Sequence, residues 1–407
     1  MTDNTDLKSK FKQGSLPSEQ DYSSLIDSIP DLNSLKITQV SNAQAKPNIV
    51  SPYGDEIIRV TKLVDPTKFN FVVNTDNHWQ QRSSYGRFKN APSTQHLGIQ
   101  HISNALALAQ NVDALILGGD NNHPDYINID VGKKDISITA NKVLDTPTNS
   151  DRFMMLGNHD VGDSLILFNG LAKVKLNEII SESEIKKLYR TSTPLFGETR
   201  NKDSLYFYKD YPDKKIRLIG ITTEDTQEVL DKDGYIKYPR LITHVLSQEQ
   251  LNWIANIALM TTPKDYHVVM FGHAFLEEDT EIGAREQIIN NGILGDMIDA
   301  WKKGTDFKAT GNREDFKIDL QANFSTRGTG QFVGYFCGHE HSETSYDFHG
   351  FKVIKLLHSL TLSGVGKETR VAGTLSEDAE SLVSIDTDKR TINIYGFGAS
   401  HDRQFTY

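Results

Sequence analysis

The sequence predicts an α/β fold, on two observations. Short apolar runs with strand composition recur from about residue 55 onwards, and segments with helical spacing lie between them. FNFVV (69–73), VDALILGG (112–119), RFMMLG (152–157), IRLIGI (216–221), HVVMFG (267–272) and FVGYFCG (332–338) each read as a buried strand bounded by glycine or charged residues. Residues 95–110 form a helix in between, with Ile99, Ile102, Leu106 and Ala109 on its apolar face. Strands alternating with helices argue for helices packed on a sheet.

The flanks read differently. Residues 18–29 form a short amphipathic helix, capped by Ser18 and Asp21, with Tyr22, Leu25, Ile26 and Ile29 on one face and Pro30 at its end. The Asn-, Ser- and Gln-rich stretch that follows reads as a linker, so residues 1–50 form an attachment or oligomerisation segment before a main domain at 55–407. A lone helix cannot bury its own stripe. It pairs with copies of itself, with a partner, or folds back on the main domain. Residues 161–200 and 274–330 interrupt the main domain with helical patterning and read as insertions beside a site. Residues 351–357, SLVSID and TINIYGF read as strands of a closing sheet; the end, GASHDRQFTY, carries no evident role.

Composition narrows the function. The 407 residues include 37% hydrophobic and 24% charged, an ordinary globular balance with ample core. A net charge of −10 lacks the basic footprint of a nucleic-acid binder. A polyanionic substrate would need local positive charge, which bound metal ions supply. One cysteine excludes an internal disulfide, and Cys337 reads as a small buried thiol. The N-terminus has no apolar core of a secretory signal, and no run approaches the ~18 apolar residues of a membrane span. The chain therefore reads as soluble and cytoplasmic on synthesis.

Five of the strands end directly in metal-ligand residue types. The first runs into Asp76-Asn77-His78, the second into Asp120, the third into Asn158-His159-Asp160, the fourth into His273 and the fifth into His339-Glu340-His341. Ligands of open α/β sheets bind beyond the carboxyl ends of strands. In extended backbone, residues two apart share a face, which pairs Asp76 with His78 and His339 with His341. Each block alone is a common accident; all five in order after apolar strands are not.

This ordered set resembles the calcineurin-like metallophosphoesterase superfamily, whose blocks are D-x-H, G-D, G-N-H-D/E, H and G-H-x-H. The resemblance spans residues 76–341. It implies a four-layer sandwich of two mixed sheets flanked by helices. It also implies that Asp76, His78 and His341 bind a first metal, that Asn158, His273 and His339 bind a second, and that Asp120 bridges them. Mixed oxygen and imidazole donors suit Mn, Fe or Zn. Such a pair, ~3.5–4 Å apart, clamps a phosphoryl group and lowers the pKa of water. His159 matches the family's non-ligand histidine, which stabilises the transition state or protonates the leaving alkoxide. Asp160 either orients a neighbouring group or caps a helix.

The second block departs from the protein-phosphatase pattern G-D-x-x-D-R-G. Here it reads Gly119-Asp120-Asn121-Asn122-His123-Pro124-Asp125, without the second aspartate and the arginine, which turns the expectation towards phosphodiesters. Trp79, Arg82, Tyr85, Arg87 and Lys89 follow the first block, and Arg87 and His123 are candidate substrate contacts. His96, His101, His244, His267, His349, His358 and His401 have no partner pattern and read as structural. The run KFKQGSLPSEQDYSSLIDSI resembles segments near the start of phage and prophage tail or baseplate proteins. That implies display on a virion and a cell-wall glycerol-phosphate polymer as substrate. The rival expectations are a phosphomonoesterase or nucleotidase, and a non-catalytic tail component that binds a polymer.

Overall fold

The computed structural model describes residues 52–81, 95–124, 129–163, 173–277, 288–362 and 369–407. The N-terminal helix and linker, and Arg82, Tyr85, Arg87 and Lys89, lie outside the described residues. Among the described residues no helix is long and apolar enough to cross a membrane.

Two large mixed sheets form the centre. The first contains β1 (Phe69–Asn74), β2 (Ala114–Leu117) and β3 (Asp151–Met154), mutually parallel. The second is built on β6 (Ile216–Gly220), β8 (His267–Phe271), β12 (Gln331–Cys337) and β14 (Phe351–Lys355), also parallel. Its antiparallel edges are β4 (Thr199–Arg200) with β5 (Phe207–Tyr211) on one side and β13 (Ser345–Phe348) on the other. On the first sheet β15 (Ala379–Asp386), β16 (Thr391–Gly398) and β17 (Arg403–Thr406) add antiparallel to β1. Two small ribbons complete the strands: β7 (His244–Val245) with β9 (Ile288–Ile289), and β10 (Phe307–Gly311) with β11 (Ile318–Ala322).

The period-two alternation of the strands assigns each residue to a layer. Phe69, Phe71 and Val73 point into a core shared with Phe207, Leu218, Phe271 and Phe336 of the facing sheet. Phe71 meets Phe336 edge-on at 5.4 Å, and Phe153 stacks on Phe207 at 4.5 Å. Each such fully buried phenyl ring contributes about 1.5–3 kcal/mol by leaving water. Val72, Leu115 and Leu117 face the other way. They meet α1 (Tyr53–Thr61), α2 (Gly98–Leu108) and α3 (Ile129–Asp145). The short α4 (Glu182–Leu188) adds Ile185 to that layer. The outer face of the second sheet packs on α5 (Gln248–Trp253), the π-helical turn Ile254–Leu259, α6 (Asn291–Lys303) and α7 (Phe324–Arg327). The layers run helices, sheet, sheet, helices: the expected four-layer α/β sandwich.

Two expectations need correction. The stretch 274–330 is not only helical: it holds the β10–β11 ribbon, whose Ile318, Leu320 and Ala322 alternate inwards with exposed Asp319 and Gln321. The carboxyl-terminal strands do not close one sheet. β14 joins the second sheet while β15 and β16 join the first. The polar end supplies β17, and Tyr407 Oη lies 2.8 Å from His267 Nδ1.

Candidate metal centre

The loops leaving β1, β2, β3, β8 and β12 meet at one end of the two sheets. Backbone bonds zip them together. Asp76 N donates to Gly119 O (3.0 Å) and His78 N to Asp120 O (2.8 Å). Gly338 N donates to His273 O (3.1 Å). Glycines let the loops approach: a Cβ on Gly157 would sit 2.0 Å from Asp120 N, and one on Gly338 would sit 2.1 Å from Asp76 Oδ2.

Five of the seven expected ligand residues adopt left-handed backbone: Asp76 (φ 51°), His78 (50°), Asp120 (49°), His339 (70°) and His341 (55°). For residues with a Cβ this costs about 1–2 kcal/mol each. Such strain persists only where surrounding structure enforces it, and it gathers at functional sites.

The side chains converge in two groups that share Asp120. In the first, His78 Nε2 lies 3.1 Å from His341 Nε2, His341 Nε2 lies 3.4 Å from Asp76 Oδ1, and His78 Nε2 lies 3.6 Å from Asp120 Oδ2. In the second, Asn158 Oδ1 is 3.0 Å from both His273 Nε2 and His339 Nδ1, and His273 Nε2 is 3.4 Å from Asp120 Oδ2. One oxygen of Asp120 thus faces both groups. Asp76, His78 and His341 form one set able to hold a metal ion, and Asp120, His273 and His339 another.

The donor chemistry fits cations. His273 Nδ1 faces Gly118 O at 3.0 Å, so the neutral ring directs its N–H there and its Nε2 lone pair at Asn158 and Asp120. Asp120 Oδ1 accepts the His159 N–H at 2.7 Å, which leaves Oδ2 to the two groups. Asp76 Oδ2 accepts from Thr75 Oγ1 (2.8 Å) and His339 N (2.9 Å). Lone pairs so oriented repel one another unless a positive charge lies between them.

Ionisation agrees. Burial opposes charge on Asp76, but the bond to His341 and the His273 charge outweigh it and hold the carboxyl at about 2. Burial likewise opposes Asp120, whose carboxyl the His273 and His159 charges hold well below the ordinary range. Burial pushes the His78 and His339 imidazoles well below theirs. Ionised carboxylates and neutral imidazoles are the forms that bind metals. His273 is the exception: burial pulls it down, yet the Asp120 charge raises it well above the usual range.

His159 is half-buried and packs edge-on to His78, with ring centres 4.8 Å apart. Asp160 is no helix cap. Its oxygens accept the N–H groups of Asn122 and Gly157, both at 2.8 Å, and tie the second block to the third. Burial and then the Asp120 charge push its carboxyl up to about 8. His123 lies inside the cluster: Nδ1 is 3.1 Å from His78 Nδ1 and the ring stacks on His159 at 4.7 Å. Trp79 is buried. Glu340, between the two expected ligand histidines, pairs with Lys355.

Two of the histidines read as structural stand against rings of the expected ligands. His244 lies 4.9 Å from His339, and His358 stacks on His341 at 4.7 Å. Burial pushes His358 down to about 3. His244 follows no apolar strand; His358 does follow the apolar run 351–357, but it stands outside the five blocks.

No family model matches the chain, and no curated protein matches it by sequence. Solved structures do match. A dimetal phosphatase from Danio rerio aligns with 84% of this chain and 100% of its own, at TM-score 0.51 and 12% identity. A 5'-nucleotidase described as putative, from Staphylococcus aureus, aligns over 83% of this chain and 54% of its own, at TM-score 0.38 and 14% identity. At such identity the first likeness shows the fold alone: the four-layer α/β sandwich is shared with that solved dimetal phosphatase.

Proposed function

We propose that the chain is a dimetal phosphoesterase that hydrolyses phosphodiesters. One observation carries this reading: seven ligand-type residues from five strand ends converge in two groups around a shared Asp120 oxygen. Asp76, His78 and His341 hold the first ion, Asn158, His273 and His339 the second, and Asp120 both. Mn, Fe or Zn suits this mixture of imidazole and oxygen. When bound, two such ions supply positive charge to the phosphoryl oxygens and acidity to water.

The chain's own residues do the rest. Asp160 holds the second and third blocks in register. His159, fixed through its N–H on Asp120, gives its ring proton to the leaving alkoxide. Replacing His159 by alanine is expected to lower kcat roughly 10²–10⁴-fold, the range of general acid catalysis, while two ions stay bound. Steady-state kinetics with metal analysis checks this.

The preference for diesters rests on the second block. His123 and Pro124 stand where protein phosphatases carry aspartate and arginine, and His123 leans on His78. The N-terminal resemblance extends the reading to a tail-borne enzyme acting on a glycerol-phosphate wall polymer such as teichoic acid. Release of glycerol-phosphate fragments from that polymer tests the extension separately.

The deciding assay sets bis-p-nitrophenyl phosphate beside p-nitrophenyl phosphate, with Mn²⁺ and with chelator. Diester turnover that chelator abolishes is the expected result. Faster monoester turnover transfers the reading to a phosphomonoesterase or nucleotidase. Bound metal with no turnover of either leaves a polymer-binding role or a narrower substrate. A protein that binds no metal overturns the proposal.

A further inference from the structure

The second ion position has a support that the reaction above does not use. His244 and Glu224 have fully buried side chains, with Nδ1 and Oε1 3.1 Å apart. The same Oε1 accepts the Thr223 hydroxyl at 2.8 Å, and Thr223 Oγ1 accepts the N–H of Ala274, next to the ligand-type His273, at 3.0 Å. Arg240 Nε donates to the Glu224 carbonyl at 3.0 Å. Glu224 is therefore fastened on several sides, and it carries His244. The His244 ring crosses that of His339 at 73°. Phe275 stands 5.9 Å from His339 and His273 5.1 Å away.

His339 turns Nδ1 towards the second group, 3.0 Å from Asn158 Oδ1. Rotation of its ring would carry that nitrogen out of the site. His244, Phe275 and His273 stand around the ring, and only His244 among them is held by a buried carboxylate outside the seven.

We propose that Glu224 and His244 form a clamp that fixes the ring of His339 and so sets how tightly the second position holds its ion. The inference rests on the dimetal reading. His244 is a positioning residue, acting through His339.

The pair is poorly built for stability alone. Burying an imidazole and a carboxyl group together costs both their hydration. Glu224 Oε2 and His244 Nε2 are moreover buried without hydrogen-bond partners among the described residues. Removing the imidazole alone would leave a buried carboxylate uncompensated, so the test also neutralises Glu224.

Mn²⁺ is titrated into the metal-free full-length protein and the affinity of each position is read, with spin coupling between the ions as a second signal. The wild type is expected to bind two ions. The double variant Glu224→Gln/His244→Leu is expected to lose about 10–100-fold at one position only, the usual cost of removing an outer-sphere partner. Glu224→Gln alone keeps an acceptor for His244 Nδ1–H and is expected to stay near wild type. Metal-free melting of the double variant is expected to match or exceed wild type. A double variant that binds both ions with wild-type affinity overturns the clamp, as does equal loss at both positions. So does lowered metal-free melting with binding intact, which marks a merely structural pair. A wild type that binds no Mn²⁺ overturns the dimetal reading itself and the clamp with it.

Discussion

Asp120→Asn is expected to yield a folded protein with essentially no phosphoesterase activity. Asparagine keeps the shape and the oxygen that accepts the His159 N–H. It replaces the second carboxylate oxygen, which faces His78 Nε2 at 3.6 Å and His273 Nε2 at 3.4 Å, or else leaves it uncharged. Both ion positions then lose their shared anion. The charge that paired ions bring to a phosphoryl transition state is worth several kcal/mol. At 1.36 kcal/mol per decade, losing about 4 kcal/mol lowers the rate on the order of 10³-fold. Turnover of the diester under saturating Mn²⁺ and the stoichiometry of bound metal read the two effects separately. Wild-type turnover in this variant would mean that Asp120 is not the shared ligand.

The linear chain already displayed the main frame. Asp76, Asp120, Asn158, His273 and His339 each follow an apolar run that forms a parallel strand, and a parallel strand's carboxyl end is where a side chain reaches a crevice. That relation is local, so it can be read without coordinates. The pairing of His244 with Glu224 and its approach to His339 is not local. It depends on β7 lying beside β9 and on the turn after β6, and nothing in the residues near His244 records either. The left-handed backbone at Asp76, His78, Asp120, His339 and His341 was equally hidden, since aspartate and histidine favour other conformations when free. The alternation in Ile318–Ala322 was visible, but it lay in a stretch dominated by the stronger helical pattern of 291–303.

The close approach of these loops explains why glycine stands before Asn158 and His339. Gly157→Ala is expected to be among the most damaging small substitutions in the chain. The added methyl would meet Asp120 N at 2.0 Å, Asp120 Oδ1 at 2.3 Å and Gly119 C at 2.8 Å, two of them backbone atoms with no rotamer to escape by. The loops after β2 and β3 would have to part. That would stretch the Gly157 N–H bond to Asp160 and carry Asn158 away from His273 and His339. Overpacking of this kind costs about 1–3 kcal/mol of stability. Because the clash is between loops, the loss should persist in chelator; because Asn158 moves, Mn²⁺ affinity and diester turnover should fall as well. Gly334→Ala, in β12, is the matched control: its nearest neighbour is Lys352 O at 3.2 Å, outside the ligand loops, so its effect should be smaller and should spare metal binding. Denaturant midpoints with and without Mn²⁺ separate the terms. A Gly157→Ala midpoint equal to wild type in chelator would show that the loops do not approach as described. A lowered midpoint with undiminished Mn²⁺ affinity would show that they yield without moving Asn158.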